Sequence, residues 1–231
     1  MPAVLDHPTC ARCPYDWSQR FCRAASGKAP ANCPSLRSRA LCAEAVSATV
    51  SPDNLEFARQ ASMQECACYG GREAGYDAVR PIKPRIVETV EFARRMGYRR
   101  LGLAFCIGLR KEGAVVHEIF ETNGFETVSV SCKAGAAPKS VMGLGREQQV
   151  DPSQEHESMC NPVFQAMALN QAGTDCNVLL GLCVGHDSLF LKYAKAPCTV
   201  LAVKDRLLGH NPLAAVQQYD GYCRYLKKPL A

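Results

Sequence analysis

The sequence predicts an α/β protein: a four-stranded parallel Rossmann-like sheet with helices on both faces, preceded by a small cysteine-rich metal-binding segment. Three observations predict it. Beyond Gly97, short apolar runs of strand length alternate with longer runs of helical spacing, the βαβα order of a parallel sheet. Three of the four strand-like runs end in a cysteine. The first fifth of the chain carries a cysteine every few residues and little apolar periodicity. The reading divides the chain into residues 1–50 and an α/β domain at 51–231.

The elements follow in order. "SPDNLEFARQASMQ" offers Ser51 as N-cap and Pro52 at the first helical position. "CACYGGREAGYD" reads as a Gly-rich connector. "KPRIVETVEFARRMG" starts at Pro84, puts Ile86, Val90 and Ala93 on one face and stops at Gly97. Then "RLGLAFC" is a strand to Cys106, "RKEGAVVHEIFETNG" a helix and "FETVSVSC" a strand to Cys132. After an insertion come the helix "PVFQAMALNQAG", the strand "CNVLLGLC" to Cys183 and the helix "DSLFLKYAKA", capped by Asp187 or Ser188. The strand "CTVLAVKD" and the helix "NPLAAVQQY" close the chain, with no internal repeat or coiled-coil heptad.

At 231 residues and 47% hydrophobic content the chain can bury a sizeable core. The first twenty residues lack a long apolar stretch, and no later run approaches the about 18 residues of a membrane span. The expectation is a cytoplasmic protein with no membrane partner. Fourteen cysteines in a reducing compartment argue for metal ligation or redox chemistry and against a disulfide framework. The formal charge of +5 counts every thiol as neutral. A four-thiolate zinc or iron-sulfur site contributes about −2, so the basic balance is no evidence for nucleic acid.

Cys10, Cys13, Cys22 and Cys33 follow C-x2-C-x8-C-x10-C. A C-x2-C turn wraps two sulfurs and its own amides round one ion, and the second pair completes a tetrahedron. Zinc or a 4Fe-4S iron-sulfur cluster would suit, the cluster favoured by the pairs Cys13-Pro14 and Cys33-Pro34.

In a parallel sheet all strand C-termini lie along one edge, where ligands bind. Cys106, Cys132 and Cys183 fall there, and the fourth strand ends in Lys204-Asp205. Each cysteine is followed by glycine, at Gly108, Gly135 and Gly185, which lets backbone approach a ligand closely. "CNP" at Cys160 and "HNP" at His210 each put asparagine at an N-cap and proline in the first turn, so a thiol and an imidazole precede the two caps. Cys106, Cys132, Cys160 and Cys183 thus form a second four-thiolate set. His186, His210 and Asp205 are the candidates for proton transfer and orientation, and Lys204 and Asp187 for binding a small-molecule or anionic ligand. Residues 133–158, too long for an ordinary connection, read as a lid that orders over the filled site.

"AFCIGLRKEG", "SCKAG", "MCNPVFQAMALN", "GLCVGHDSLF" and "VKDRLLGHNP", with the GLCVGHD and KDRxxGHNP motifs, resemble a bacterial and archaeal family of cysteine-rich, predicted metal-binding proteins of unknown function. The resemblance covers nearly the whole chain, including the N-terminal cysteines. It implies metal binding and supplies no reaction. Cys42, Cys66, Cys68, Cys176, Cys198 and Cys223 lie outside those motifs and read as structural.

The leading functional expectation is an iron-sulfur enzyme or electron-transfer protein with a redox partner and its reactive site at the strand edge. The alternative is a zinc-binding structural protein, or a thiol redox or metal sensor without catalysis. A nucleic-acid module ranks last because the arginines lack interleaved aromatics. A nicotinamide enzyme is weak because no G-x-G-x-x-G follows the first strand.

Overall fold

The computed structural model of the chain describes residues 7–230. Two compact units compose it, Met1–Cys66 and Ala67–Ala231.

The first unit holds α1 (Pro34–Arg37), α2 (Arg39–Thr49) and nearly all of α3 (Leu55–Ala67). Cys33 is the N-cap of α1 and Pro34 its first residue, where a missing N–H costs nothing. Sequence periodicity missed α2, whose residues are nearly all exposed and so carry no buried stripe. Ser51 is not a helix cap as expected. Its hydroxyl donates back to the Ala48 carbonyl, as does the Asn54 amide, so residues 51–54 form the turn between α2 and α3. Among the described residues of this unit no apolar side chain is buried.

The second unit opens with a two-stranded antiparallel ribbon, β1 (Tyr69–Gly70) against β2 (Arg80–Pro81), where the sequence read only a connector. Gly71, at φ 75°, turns the chain there. Next come α4 (Arg85–Arg95), β3 (Arg100–Phe105), α5 (Arg110–Thr122) and β4 (Glu126–Ser131). They are followed by α6 (Pro162–Gln171), β5 (Cys176–Leu182), α7 (His186–Tyr193), β6 (Cys198–Val203) and a short α8 (Leu213–Gln217). The expected parallel sheet is present, in the order β4-β3-β5-β6.

Both faces of the sheet are covered, which is why β5 is buried along its whole length. Val90 and Ala93 of α4 and Val116 and Phe120 of α5 pack with Leu101, Leu103, Val178 and Leu180 in one core. Ala166 and Leu169 of α6 and Phe190 of α7 pack with Ala104, Leu179 and Leu182 in another. Leu180 and Leu182 ought to share a face, being two residues apart in a strand. They do not, because a bulge at Gly181, φ 67°, shifts the register between them.

Two caps differ from expectation. Gly185 is the N-cap of α7, and His186 opens the helix; Asp187 accepts from the amide and the hydroxyl of its neighbour Ser188. Pro212 occupies the cap position of α8, and no side chain caps that helix. Asn161 does cap α6, its side-chain oxygen accepting from the Phe164 amide at 3.0 Å.

Candidate functional site: a thiol cluster at the strand edge

Cys106 and Cys132 each stand one residue beyond their strands yet remain tied to the sheet. The Cys106 amide donates to Leu180 O at 3.0 Å, and the Cys132 amide to Phe105 O at 2.8 Å. Because β3 and β4 are neighbours with Phe105 opposite Ser131, the two cysteines fall side by side.

Cys160 arrives from the far end of the insertion, which closes on itself. The Asn161 amide donates to Cys132 O at 2.7 Å and the Met159 amide to Ala137 O at 2.8 Å. Lys133 Nζ bonds Ser158 O, and Glu157 pairs with both Lys133 and Lys139. This clamp pins the ends of a 26-residue excursion together, residues 133–158, and sets Cys160 against Cys132. Residues 133–158 are thus an organised loop, with Pro138 bridged to Ser158 in antiparallel fashion.

Cys132 consequently has both Cys106 and Cys160 as thiol neighbours, and the Ile107 amide donates to its sulfur at 3.3 Å. The three thiols differ electrostatically. The Cys132 thiol, aided by the Gly108 amide and the Lys204 ammonium, outweighs burial and pulls Cys106 from 9.0 down to about 4. Cys132, against both neighbours and buried, is pushed well above the thiol range. Cys160 is lowered to about 6, first by Cys132 and then, against burial, by the charges of Lys133 and His186.

Lys204 leaves the end of β6 and reaches Cys106 beyond β5. Its Cε lies 3.9 Å from where a Gly181 Cβ would stand, and its Nζ 3.5 Å from where a Gly108 Cβ would stand. Leu109 fills the rest of the space over Gly181. The two glycines clear the path for the ammonium.

The remaining candidates are placed differently. Cys183 does follow β5, but its sulfur accepts from Arg206 Nη2 at 3.1 Å. Its carbonyl accepts from the His186 and Asp187 amides, fixing the first turn of α7. Asp187 is half-buried in that turn, its carboxylate accepting from the Ser188 amide. Asp205 and His210 close a loop on each other. The Asp205 amide donates to His210 Nδ1 at 3.2 Å, the His210 amide to Asp205 O at 2.9 Å, and Asp205 Oδ1 accepts from the Leu207 and Leu208 amides.

Two residues at this edge escaped sequence reasoning. Arg206 stands in "VKDRLLGHNP" between recognised positions. Gln165 is fully buried, and its Nε2 donates to Phe105 O at 3.2 Å and Val130 O at 2.7 Å. It cross-links the ends of β3 and β4 next to Cys106 and Cys132. Its signal was a polar residue amid the apolar face of "PVFQAMALN".

In the N-terminal unit Cys10, Cys13, Cys22 and Cys33 all line one cavity of about 60 Å³, together with Arg20, Lys28 and Asn32. Among the described residues, no group of three or more His, Cys, Asp or Glu residues is arranged as it stands to hold a metal ion. No described helix is long and apolar enough to cross a membrane.

The architecture is that of a parallel α/β protein with cysteines gathered at the C-terminal edge of its sheet. The chain belongs to the family described as "Protein of unknown function (DUF1847)", whose model matches residues 33–201. The matched segment spans β3, β4 and β5, ends inside β6, and contains Cys33, Cys106, Cys132, Cys160 and Cys183. The chain is also similar to an uncharacterized protein of Methanocaldococcus jannaschii, 45% identical over 148 residues, 64% of this chain and 72% of the relative.

Proposed function

We propose that this chain is a metal-binding protein, an iron-sulfur enzyme or electron-transfer protein, in which Cys10, Cys13, Cys22 and Cys33 hold a cluster and the strand-edge thiols form the reactive centre. The observation that carries it is the cavity lined by all four N-terminal cysteines, inside a unit that buries no apolar side chain among its described residues. A segment without a core takes its folding energy from elsewhere, and ligand binding supplies it. The four cysteines line the cavity, so binding would draw their sulfurs together and order the loops between them. Arg20 and Lys28 in the same wall would offset the about −2 charge of a four-thiolate site. The Cys-Pro pairs favour an iron-sulfur core over zinc. Bound there, such a core would accept and release one electron; a zinc ion would only hold the fold.

At the strand edge the reactive groups are Cys106, Cys132 and Cys160, with Lys204, Lys133, Arg206 and His186 as the positive or titratable groups around them. Lys204 suits an anionic ligand. A thiol redox or sensing role is the second reading, favoured by one observation: the three sulfurs meet in a chain through Cys132.

Purification without oxygen, followed by assay of iron, acid-labile sulfide and zinc, tests the reading. Iron with sulfide, lost in Cys10→Ser, supports the N-terminal cluster. Zinc alone turns that site into a structural one. A second core per chain, retained in Cys10→Ser and lost in Cys132→Ser, would put another at the strand edge. No metal under these conditions refutes the proposal.

A further inference from the structure

Cys132 has two thiol neighbours, Cys106 and Cys160, and the set has a gradient of access. Cys160 is half-buried, while Cys106 and Cys132 are 8% and 3% exposed. The backbone already brings the three into bonding range. Cys106 and Cys132 occupy matching positions just past the facing pair Phe105 and Ser131 on adjacent strands, which run about 4.8 Å apart, inside the Cα separation of about 4.4–6.8 Å that a disulfide accepts. Cys160 is tied to Cys132 by the bond from the Asn161 amide to the Cys132 carbonyl.

We propose that the strand edge is a three-thiol relay that reduces small anionic disulfides, with Cys160 as the entry thiol, Cys132 as the shared resolving thiol and Cys106 as the inner terminus. This rests on reading the strand edge as the reactive centre. In the first step the Cys160 thiolate attacks one sulfur of the substrate disulfide; that S–S bond breaks, and one substrate thiolate leaves and takes a proton from water. In the second, the Cys132 sulfur attacks Cys160 Sγ, expelling the second substrate thiolate, which takes the Cys132 proton as it leaves. In the third, the Cys106 thiolate attacks Cys132 Sγ; a Cys106–Cys132 disulfide forms, the Cys132–Cys160 bond breaks and Cys160 is released as its thiolate. Two cysteine thiols lose two electrons, and one substrate disulfide becomes two thiols.

Two features define the substrate. The burial of Cys106 and Cys132 confines the exposed chemistry to Cys160 and excludes a bulky protein disulfide from the inner pair. The charged groups nearest the thiols are Lys133, paired with Glu157, and His186 beside Cys160, Lys204 beside Cys106 and Arg206 on Cys183; with one carboxylate among them the balance is cationic and selects a carboxylate-bearing disulfide over a cationic one.

The test uses the full chain, reduced and kept without oxygen, exposed to oxidised glutathione or to cystamine and mapped by peptide mass under non-reducing conditions. The expected wild-type product is a Cys106–Cys132 linkage with no glutathione retained at the edge. Cys132→Ser retains one glutathione on Cys160, and Cys106→Ser stops at a Cys132–Cys160 linkage. Glutathione disulfide reacts several times faster than cystamine, and raising the salt concentration narrows the ratio. Glutathione left on wild-type Cys160 without any linkage to Cys132, or reaction confined to the N-terminal cysteines, overturns the relay; so does equal reactivity of the two disulfides for the substrate class. If Cys132→Ser does not fold, the wild-type map alone decides. Metal content measured on the same sample separates this outcome from failure of the N-terminal cluster: a metal-loaded chain with an unreactive edge removes the relay and leaves the cluster standing.

Discussion

The Lys204 ammonium and the Cys106 sulfur close on the same glycine, 3.5 and 3.8 Å from where a Gly108 Cβ would stand, although the lysine comes from two strands away with its stem passing over Gly181 of β5. A lysine at the end of one strand can serve a thiol at the end of another only if the strand between them offers no side chain in the way. Gly181 meets that condition and also takes the φ of 67° that the bulge needs.

Gly181→Ala is therefore expected to fail on both counts. The new methyl group would collide with Leu109 and sit on a left-handed backbone, costing about 2–4 kcal/mol in urea denaturation. A loss below about 0.5 kcal/mol would contradict this account of the bulge.

Cys160 should show its lowered pKa in chemistry. A thiol held below 9.0 stays ionised as pH falls until its own pKa is crossed, so iodoacetamide labelling of Cys160 should hold its plateau at neutral pH and halve near pH 6. Cys132→Ala, which deletes the largest cause, should move the midpoint upward more than His186→Gln does. Labelling resolved by peptide mass in metal-free protein reads both shifts; a midpoint at the ordinary thiol value would show that the contact with Cys132 is not made.

Gln165→Leu should destabilise the domain although the side chain it introduces is apolar and similar in size. The Phe105 carbonyl keeps the Cys132 amide, but both it and the Val130 carbonyl lose the glutamine donor in a buried place, at a cost of about 1–2 kcal/mol. Amide exchange at Cys106 and Cys132, whose strands the glutamine joins, should accelerate with it. Unaltered stability and exchange would mean that the strand ends are held without it.

The N-terminal unit should depend on its ligands and not on a core. Cys10→Ser or Cys22→Ser should remove one metal equivalent or cluster and open the chain to proteolysis as far as about Cys42. Unchanged metal content in either variant would remove these cysteines from the ligand set.

Much of the sheet was legible because its signals are local. Pro84 before α4 and Gly97 after it, Asn161 and Pro162 at the start of α6, and the strand-length apolar runs each act within a few residues. Where the sequence misled, a tertiary or turn-level bond had taken the residue away. Ser51 turned back to Ala48, and Gly185 supplied the cap assigned to Asp187 or Ser188. The helix α2 was invisible because an exposed helix needs no apolar face to report it.

The sequence by itself determined the alternation of strands and helices, and with it that Cys106, Cys132 and Cys183 follow strands, since those features depend on short-range periodicity and backbone stops. Which thiols meet was decided only by the tertiary structure. The strand order puts β3 beside β4, so Cys106 lies next to Cys132; the clamp of Lys133 and Glu157 returns the insertion and brings in Cys160; and Arg206 takes Cys183. Such pairings depend on strand order and loop closure across long sequence separations, and spacing along the chain does not encode them.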